Sequence, residues 1–321
     1  MKRYISLLLA ILMLFSLGLA GCQNGGEQTP ETTEALDTST PKDWEIRRIL
    51  MIGSSYSYYY CDELYCIAKA DGIELKVANL YVSGGTMAQH YGQIGATSGI
   101  YDLIIHQTSG KSQTENATID QALNLDEWDL ITIQESYDPK YNVTNPTDGE
   151  KTKEWVEKMV AFLSEKYPVS HIMWQQVWSK EVGYQGPYTE ENRANNFVGV
   201  PEVSKVLTPE KQQQDYEVIR DCALDLCESF NMYRIPSGDA WQMVRADDRI
   251  GDDLCIEDGT HENARGQYLN GCVWYETLTG NSCIGNTWRP VENPLPEEEI
   301  AILQEYAHKA VAAVYGEDYA K

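Results

Sequence analysis

Apolar residues recur along this chain in two rhythms. Residues 49–52 (ILMI), 75–82, 129–134 (DLITIQ), 171–178 and 233–235 are short apolar runs. Several are continuous rather than alternating, the pattern of a parallel strand covered on both faces. Between them, Leu64, Ile67 and Ala68 recur at helical spacing, residues 151–167 are amphipathic, and Thr208, Pro209 and Glu210 open a helical stretch running to about Met232. Gly53 supplies a tight turn after the first run, and Gly72 stands where it ends the first helix. Residues 101–118 read as an irregular or hairpin excursion, and residues 180–207 as a long loop bearing Gly, Pro and Asn. Strands separated by helices of this length predict a parallel sheet with helices on both faces. Such sheets bind ligands at the carboxyl ends of their strands, where Ser55, Gly84 and Gln134 fall.

The first 42 residues follow different rules. Lys2 and Arg3 precede a nearly unbroken apolar segment, residues 5–19, which closes on Leu19-Ala20-Gly21-Cys22. This resembles a bacterial lipoprotein signal, cleaved before the cysteine and lipidated on it. The alternatives are an ordinary secretory peptide or a membrane-spanning helix, for which the apolar segment is short. Residues 23–42 contain no aromatic residue and almost nothing apolar, so they cannot bury enough surface to offset chain ordering. The expected organisation is a signal peptide over 1–21, a lipidated Cys22 with a tether over 22–42, and one domain over 43–321. A 20-residue tether holds a domain roughly 25 Å from the membrane.

The formal net charge is −24. Lys2, Arg3 and Lys42 nearly balance Glu27, Glu31, Glu34 and Asp37, so almost all of it lies on the domain. Such a body repels nucleic acid and anionic headgroups, leaving the Cys22 lipid as its expected membrane contact. Of the eight cysteines, seven remain beyond Cys22, with no Cys-x-x-Cys pair to suggest zinc. Cys61 and Cys66, like Cys222 and Cys227, lie about 140° apart around their predicted helices, too far round for a local disulfide.

Two stretches carry candidate chemistry. Ser55 follows the first strand at a helix N-terminus, where free N–H groups and the helix dipole favour a developing anion. Far downstream, Glu257-Asp258-Gly259-Thr260-His261 precedes a helical pattern (Ala264, Tyr268, Cys272, Tyr275) that stops at Gly280. A carboxylate three residues before a histidine can reach its Nδ1, fixing the tautomer and leaving Nε2 as a base. An acidic turn or a calcium loop is the alternative, but the acidic residues lack the alternation of an EF-hand. The sequence gives His90, His106, His171 and His308 no comparable carboxylate, which makes them core or surface histidines.

With these residues in place, the chain resembles the SGNH (GDSL-type) hydrolase superfamily over roughly residues 45–280. Gly53-Ser54-Ser55-Tyr56 stands where that family has Gly-Asp-Ser-Leu, Gly84-Gly85-Thr86 is similar to its second block, and Asp258-Gly259-Thr260-His261 matches its last block, Asp-x-x-His. The third block, Gly-x-Asn-Asp, is replaced by Gln134-Glu135-Ser136, similar to a poorly characterised bacterial branch. The resemblance implies a flavodoxin-like three-layer α/β/α sandwich around a central parallel sheet. It also implies a Ser55 nucleophile, a His261 base oriented by Asp258, and an oxyanion hole from the N–H groups of Ser55 and Gly84. Gln134 is the expected third donor in place of the asparagine. Ser136 is the runner-up, and Glu135 is disfavoured because its charge repels an oxyanion. No metal or organic cofactor is required. The expected activity is that of a tethered, extracytoplasmic serine esterase. With 21 Tyr and 8 Trp in the chain, and Trp174, Trp178 and Tyr184 near a strand end and in the loop after it, short acetyl esters on carbohydrates are the expected substrates, with a place for these rings in the core as the equally open alternative. The alternative is an inactive surface lipoprotein that binds sugars or peptides on the same scaffold.

Overall fold

The structure, a computed structural model, describes residues 39–135, 148–184 and 207–321. The expected signal peptide, Cys22 and most of the expected tether lie outside these residues, as do Ser136 and much of the long loop. The folded body starts at Ser39, ahead of the expected boundary at 43. A short 3-10 turn, Pro41–Asp43, buries Pro41. The Ser39 carbonyl accepts from Tyr233 Oη (2.7 Å), and the Lys42 N–H donates to Tyr319 Oη (3.0 Å).

In chain order the strands are β1 (Arg48–Gly53), β2 (Lys76–Tyr81), β3 (Tyr101–His106), β4 (Ser112–Ala117), β5 (Leu130–Ile133), β6 (Ile172–Gln175) and β7 (Tyr233–Ile235). They form one seven-stranded sheet in the order β4-β3-β2-β1-β5-β6-β7. Five of them, β2-β1-β5-β6-β7, are parallel. The excursion over 101–118 is the antiparallel hairpin β3–β4, added to the sheet beside β2. The helices are α1 (Cys61–Ala70), α2 (Met87–Gly92), α3 (Ile119–Leu123), α4 (Asp148–Ser164), α5 (Pro209–Phe230), α6 (Ser237–Arg245), α7 (Ala264–Thr279) and α8 (Glu297–Tyr315).

The continuous apolar run of β1 has a direct explanation. Side chains alternate across a strand, so Ile49 and Met51 enter one core while Leu50 and Ile52 enter the other. The first core is closed by residues of α1, α6, α7 and α8, and the second by α2, α3, α4 and one side of α5. This is the three-layer α/β/α arrangement that the SGNH resemblance implies. β1 is central, flanked by β2 and β5, and the chain departs from it first to one side and then to the other. That reversal opens a crevice at the carboxyl ends of β1, β2 and β5.

The α1–α7 seam sets the position of the residues preceding α7, His261 among them. It is close because Gly271 presents no side chain: a Cβ there would stand 2.7 Å from Glu63 Cβ and 3.1 Å from Ile67 Cδ1. Helix propensity alone makes Gly→Ala favourable by about 1 kcal/mol in a helix interior. Overpacking typically costs about 1–3 kcal/mol, so Gly271→Ala is expected to be net destabilising. A lowered denaturant midpoint at constant slope checks this; an unchanged or raised midpoint contradicts the close seam.

Candidate active site

Ser55 opens a short 3-10 turn, Ser55–Ser57, directly after β1, with the extended Ser54 as its N-cap. Three side-chain amides from the neighbouring strands fasten this turn. Asn79 of β2 donates to the Ser57 carbonyl and, at 3.2 Å, to Ser57 Oγ. Gln134, just beyond β5, donates through Nε2 to Ser54 Oγ at 2.8 Å. Gln175, at the end of β6, donates to the Tyr56 carbonyl at 2.7 Å. All three amides are buried. Gly53 is required beneath them, since a Cβ there would stand 2.6 Å from Ser57 Oγ and 2.8 Å from Gln134 Nε2. Sequence reading singled out Gln134 but passed over Asn79 and Gln175; the available signal was an amide inside an otherwise apolar strand, where burial demands a partner.

The loop after β2 meets this turn. Gly84 has φ +63°, a left-handed conformation suited to glycine, and Thr86 caps α2 by accepting from Gln89 N–H (3.2 Å). Glu135, which follows Gln134, accepts from Met87 N–H at 3.0 Å and so ties the end of β5 to the start of α2. Gly85 lies against the buried His90, whose Nδ1 pairs with Tyr101 Oη at 3.0 Å. Burial holds the His90 imidazole down at about 4, so it is neutral. Among the described residues, the N–H groups of Ser55 and Gly84 have no acceptor within the chain. Gln134 has a second N–H beyond the one given to Ser54.

The Asp258–His261 turn is self-supporting. Asp258 Oδ1 accepts from the N–H groups of Thr260 and His261 (2.9 Å each), and Oδ2 pairs with His261 Nδ1 at 2.5 Å. Burial raises the Asp258 carboxyl, but these hydrogen bonds outweigh it and hold the group below its ordinary value. The segment after β6 clamps the same turn: Trp178 Nε1 donates to the Thr260 carbonyl and Glu181 N–H to the Gly259 carbonyl, both at 2.9 Å. Trp178 also meets the Tyr56 ring edge-on at 4.9 Å, joining the Ser55 turn to the His261 turn through one indole. No hydrogen bond joins Ser55 Oγ to His261 Nε2 among the described residues.

The structure decides the open reading of the aromatic residues and corrects that of two histidines. Trp174 and Trp178 are core residues, 5% and 1% exposed, and cannot form a sugar platform. Tyr184 packs against Gly259, and its hydroxyl accepts from Lys180 Nζ at 2.7 Å. His106 and His308 do have carboxylate partners, Asp62 and Glu276, each at 3.1 Å, supplied across the fold rather than along the chain. Among the described residues, the seven cysteines beyond Cys22 form no disulfide, Cys61–Cys66 and Cys222–Cys227 included. Among the described residues, no group of three or more His, Cys, Asp or Glu is placed to hold a metal ion.

A family model described as "Domain of unknown function (DUF4886)" matches residues 48–186. A solved DUF4886 family protein from Bacteroides uniformis is similar in fold, with a TM-score of 0.67 at 22% identity, covering 84% of this chain and 96% of that one. A lipase/acylhydrolase from Enterococcus faecalis also matches (TM-score 0.43, 15% identity, 73% of this chain and 96% of that one). So does an acetyl xylan esterase variant from Geobacillus stearothermophilus (TM-score 0.45, 12% identity, 73% and 96%). No curated protein matches the chain by sequence. In its seven-stranded, mostly parallel sheet between two helical layers, the chain shares the α/β/α fold of the Bacteroides uniformis structure.

Directly behind His261 lies a buried acidic pair. Glu262 is 1% exposed and accepts from Asn270 Nδ2 at 3.4 Å; Glu63, on α1, is 9% exposed. Neither Oε2 atom has a partner among the described residues. Burial raises the Glu262 carboxyl from 4.5 to about 8, with Glu63 and Asp258 adding repulsion, and burial raises Glu63 to about 7. The folded state therefore binds more protons than the unfolded one. The stability these groups contribute is complete below about 4.5 and is lost as pH rises through about 7 and about 8. The melting temperature is expected to fall between about pH 5 and about pH 9, and Glu262→Gln to flatten that fall. An equally steep fall in the variant would contradict the assignment.

Proposed function

We propose that the protein is a serine ester hydrolase, tethered outside the cytoplasm by a lipid on Cys22, that removes short acyl groups, chiefly acetyl, from carbohydrates. What supports this reading is a serine on a fastened turn, two N–H donors uncommitted among the described residues and a carboxylate-oriented histidine, with Trp178 linking the serine turn to the histidine turn. Ser55 Oγ attacks the ester carbonyl while His261 Nε2 takes its proton, and the charge on the carbonyl oxygen falls to the N–H groups of Ser55 and Gly84 and the free N–H of Gln134. Collapse releases the alcohol, which receives the proton from His261. Water, deprotonated by the same histidine, then hydrolyses the acyl-Ser55 intermediate. Asp258 supports the imidazolium in both steps and stays ionised.

The missing hydrogen bond between Ser55 and His261 favours a second reading, a surface lipoprotein that binds sugars or peptides without turnover. Catalytic hydrogen bonds often lengthen in the absence of substrate, so the enzyme remains the leading reading.

Turnover of acetylated sugars and short acyl esters by the purified protein, beside Ser55→Ala, decides between them. Loss of turnover in Ser55→Ala and His261-dependent labelling of Ser55 by a fluorophosphonate are expected. Labelling at Ser54 or Ser57 would move the nucleophile, and equal turnover in wild type and Ser55→Ala would refute the mechanism. Gln134→Ala is expected to lower kcat by about 10²- to 10³-fold with little change in KM, the magnitude of one preorganised donor. Cys22→Ser should release the protein from membranes; a processed variant that stays bound argues against the anchor.

A further inference from the structure

Three tyrosines run in unbroken ring contact away from His261. The Tyr59 ring meets the His261 imidazole edge-on at 5.5 Å, Tyr58 meets Tyr59 at 4.9 Å, and Tyr81, the last residue of β2, meets Tyr58 at 5.0 Å. Tyr59 is 37% exposed, and Tyr58 and Tyr81 are half-buried. Among the described residues, none of the three hydroxyls hydrogen-bonds within the chain. A buried core cluster would have its hydroxyls paired and its rings covered. This row instead offers open ring surface and three uncommitted donor-acceptor groups beside the candidate site.

Its position relative to the chemistry assigns its role. A histidine base hands its proton to the departing oxygen, so the leaving alcohol lies on the imidazole side of the site, while the carbonyl oxygen lies toward Gly84 and Gln134. The surface continuous with the His261 ring is therefore the one the alcohol meets. Its charge surroundings narrow the chemistry. Burial raises the Tyr59 hydroxyl above its ordinary value, and the ionised Asp258 carboxylate reinforces this. An anionic alcohol is repelled there. A neutral ring that carries an apolar face and several hydroxyls satisfies both the rings and their hydroxyls.

We infer that Tyr59, Tyr58 and Tyr81 form the leaving-alcohol subsite, and that its occupant is a neutral pyranose unit stacked along the row. This rests on the esterase reading proposed above and replaces Trp174 and Trp178 as the aromatic determinants of substrate choice.

The test compares two acetyl esters that differ only in their alcohol: ethyl acetate, too small to cover the row, and methyl 2-O-acetyl-β-xylopyranoside, which keeps two free hydroxyls. The readout is the ratio of kcat/KM for the sugar ester to that for ethyl acetate. Tyr59→Ala and Tyr58→Ala are each expected to lower this ratio by about 3- to 10-fold, mainly through KM of the sugar ester, the range for one lost aromatic contact. Tyr59→Phe, which keeps the ring, should hold the ratio within about twofold of wild type. A ratio unchanged in both alanine variants, because both substrates slow equally or neither does, overturns the subsite. A separate arm keeps the two proposals distinguishable. If the wild-type chain hydrolyses neither ester, the esterase reading fails, and the row is judged by saturation-transfer NMR with methyl β-xylopyranoside and full-length Ser55→Ala. Transfer that disappears on adding Tyr59→Ala upholds a sugar-binding row; no transfer to the sugar refutes it.

Discussion

Three buried carboxamides hold the turn that carries Ser55, and much of the candidate site depends on them. Asn79, Gln134 and Gln175 come from the strands on either side of β1 and from the next one out, and each bonds to a different residue of the turn or its cap. A backbone turn at the end of a buried strand has polar groups that water cannot reach, and leaving them unmade costs about 1–3 kcal/mol each. Satisfying them from three separate strands makes the turn a property of the whole sheet. Ser55 is thereby fixed by long-range contacts although its own segment is only a few residues long.

His261 is held by different means. Its turn is supported locally by the Asp258 carboxylate, from outside by Trp178 and Glu181, and from behind by α7 packed on α1. The two halves of the site therefore belong to separate layers, the serine to the sheet and the histidine to the helical face above it. Trp178 spans them, with its ring on Tyr56 and its N–H on Thr260, while its other face stacks on Trp241 at 4.3 Å. The indole is a spacer between the halves. Its burial follows from that position and explains why a residue at a strand end, where recognition surfaces are usually sought, is part of the core.

The features legible in the sequence were those encoded locally. The apolar run of β1 declares two cores because its residues must alternate between them, and the Asp258–His261 pair declares itself because three residues of turn bring carboxylate to ring. What escaped is long-range. Asn79 and Gln175 acquire meaning only when β2 and β6 lie close to β1, and His106 and His308 find Asp62 and Glu276 only across the fold. The Tyr58, Tyr59 and Tyr81 row joins two segments whose proximity follows from the β1–β2 pairing. Ser39 belongs to the body because Tyr233 reaches it, a contact invisible in a stretch poor in apolar residues.

The hairpin added beside β2 has a consequence for how one molecule meets another. A parallel sheet of this type would otherwise end on β2, whose buried apolar side chains and open backbone groups are a template for another strand. β3 covers that edge, and β4 becomes the new border. Its first five residues, Ser112, Gln113, Thr114, Glu115 and Asn116, are polar and exposed, and Asn116 turns into the left-handed region at φ +55°. Pairing with β3 shifts register between Tyr101 and Leu103, so the border strand is irregular as well as hydrophilic. A short, polar, kinked margin offers an incoming strand neither an apolar face nor a regular ladder. The hairpin thus acts as a selvage, finishing the sheet so that copies of the protein can collide edge to edge without knitting together.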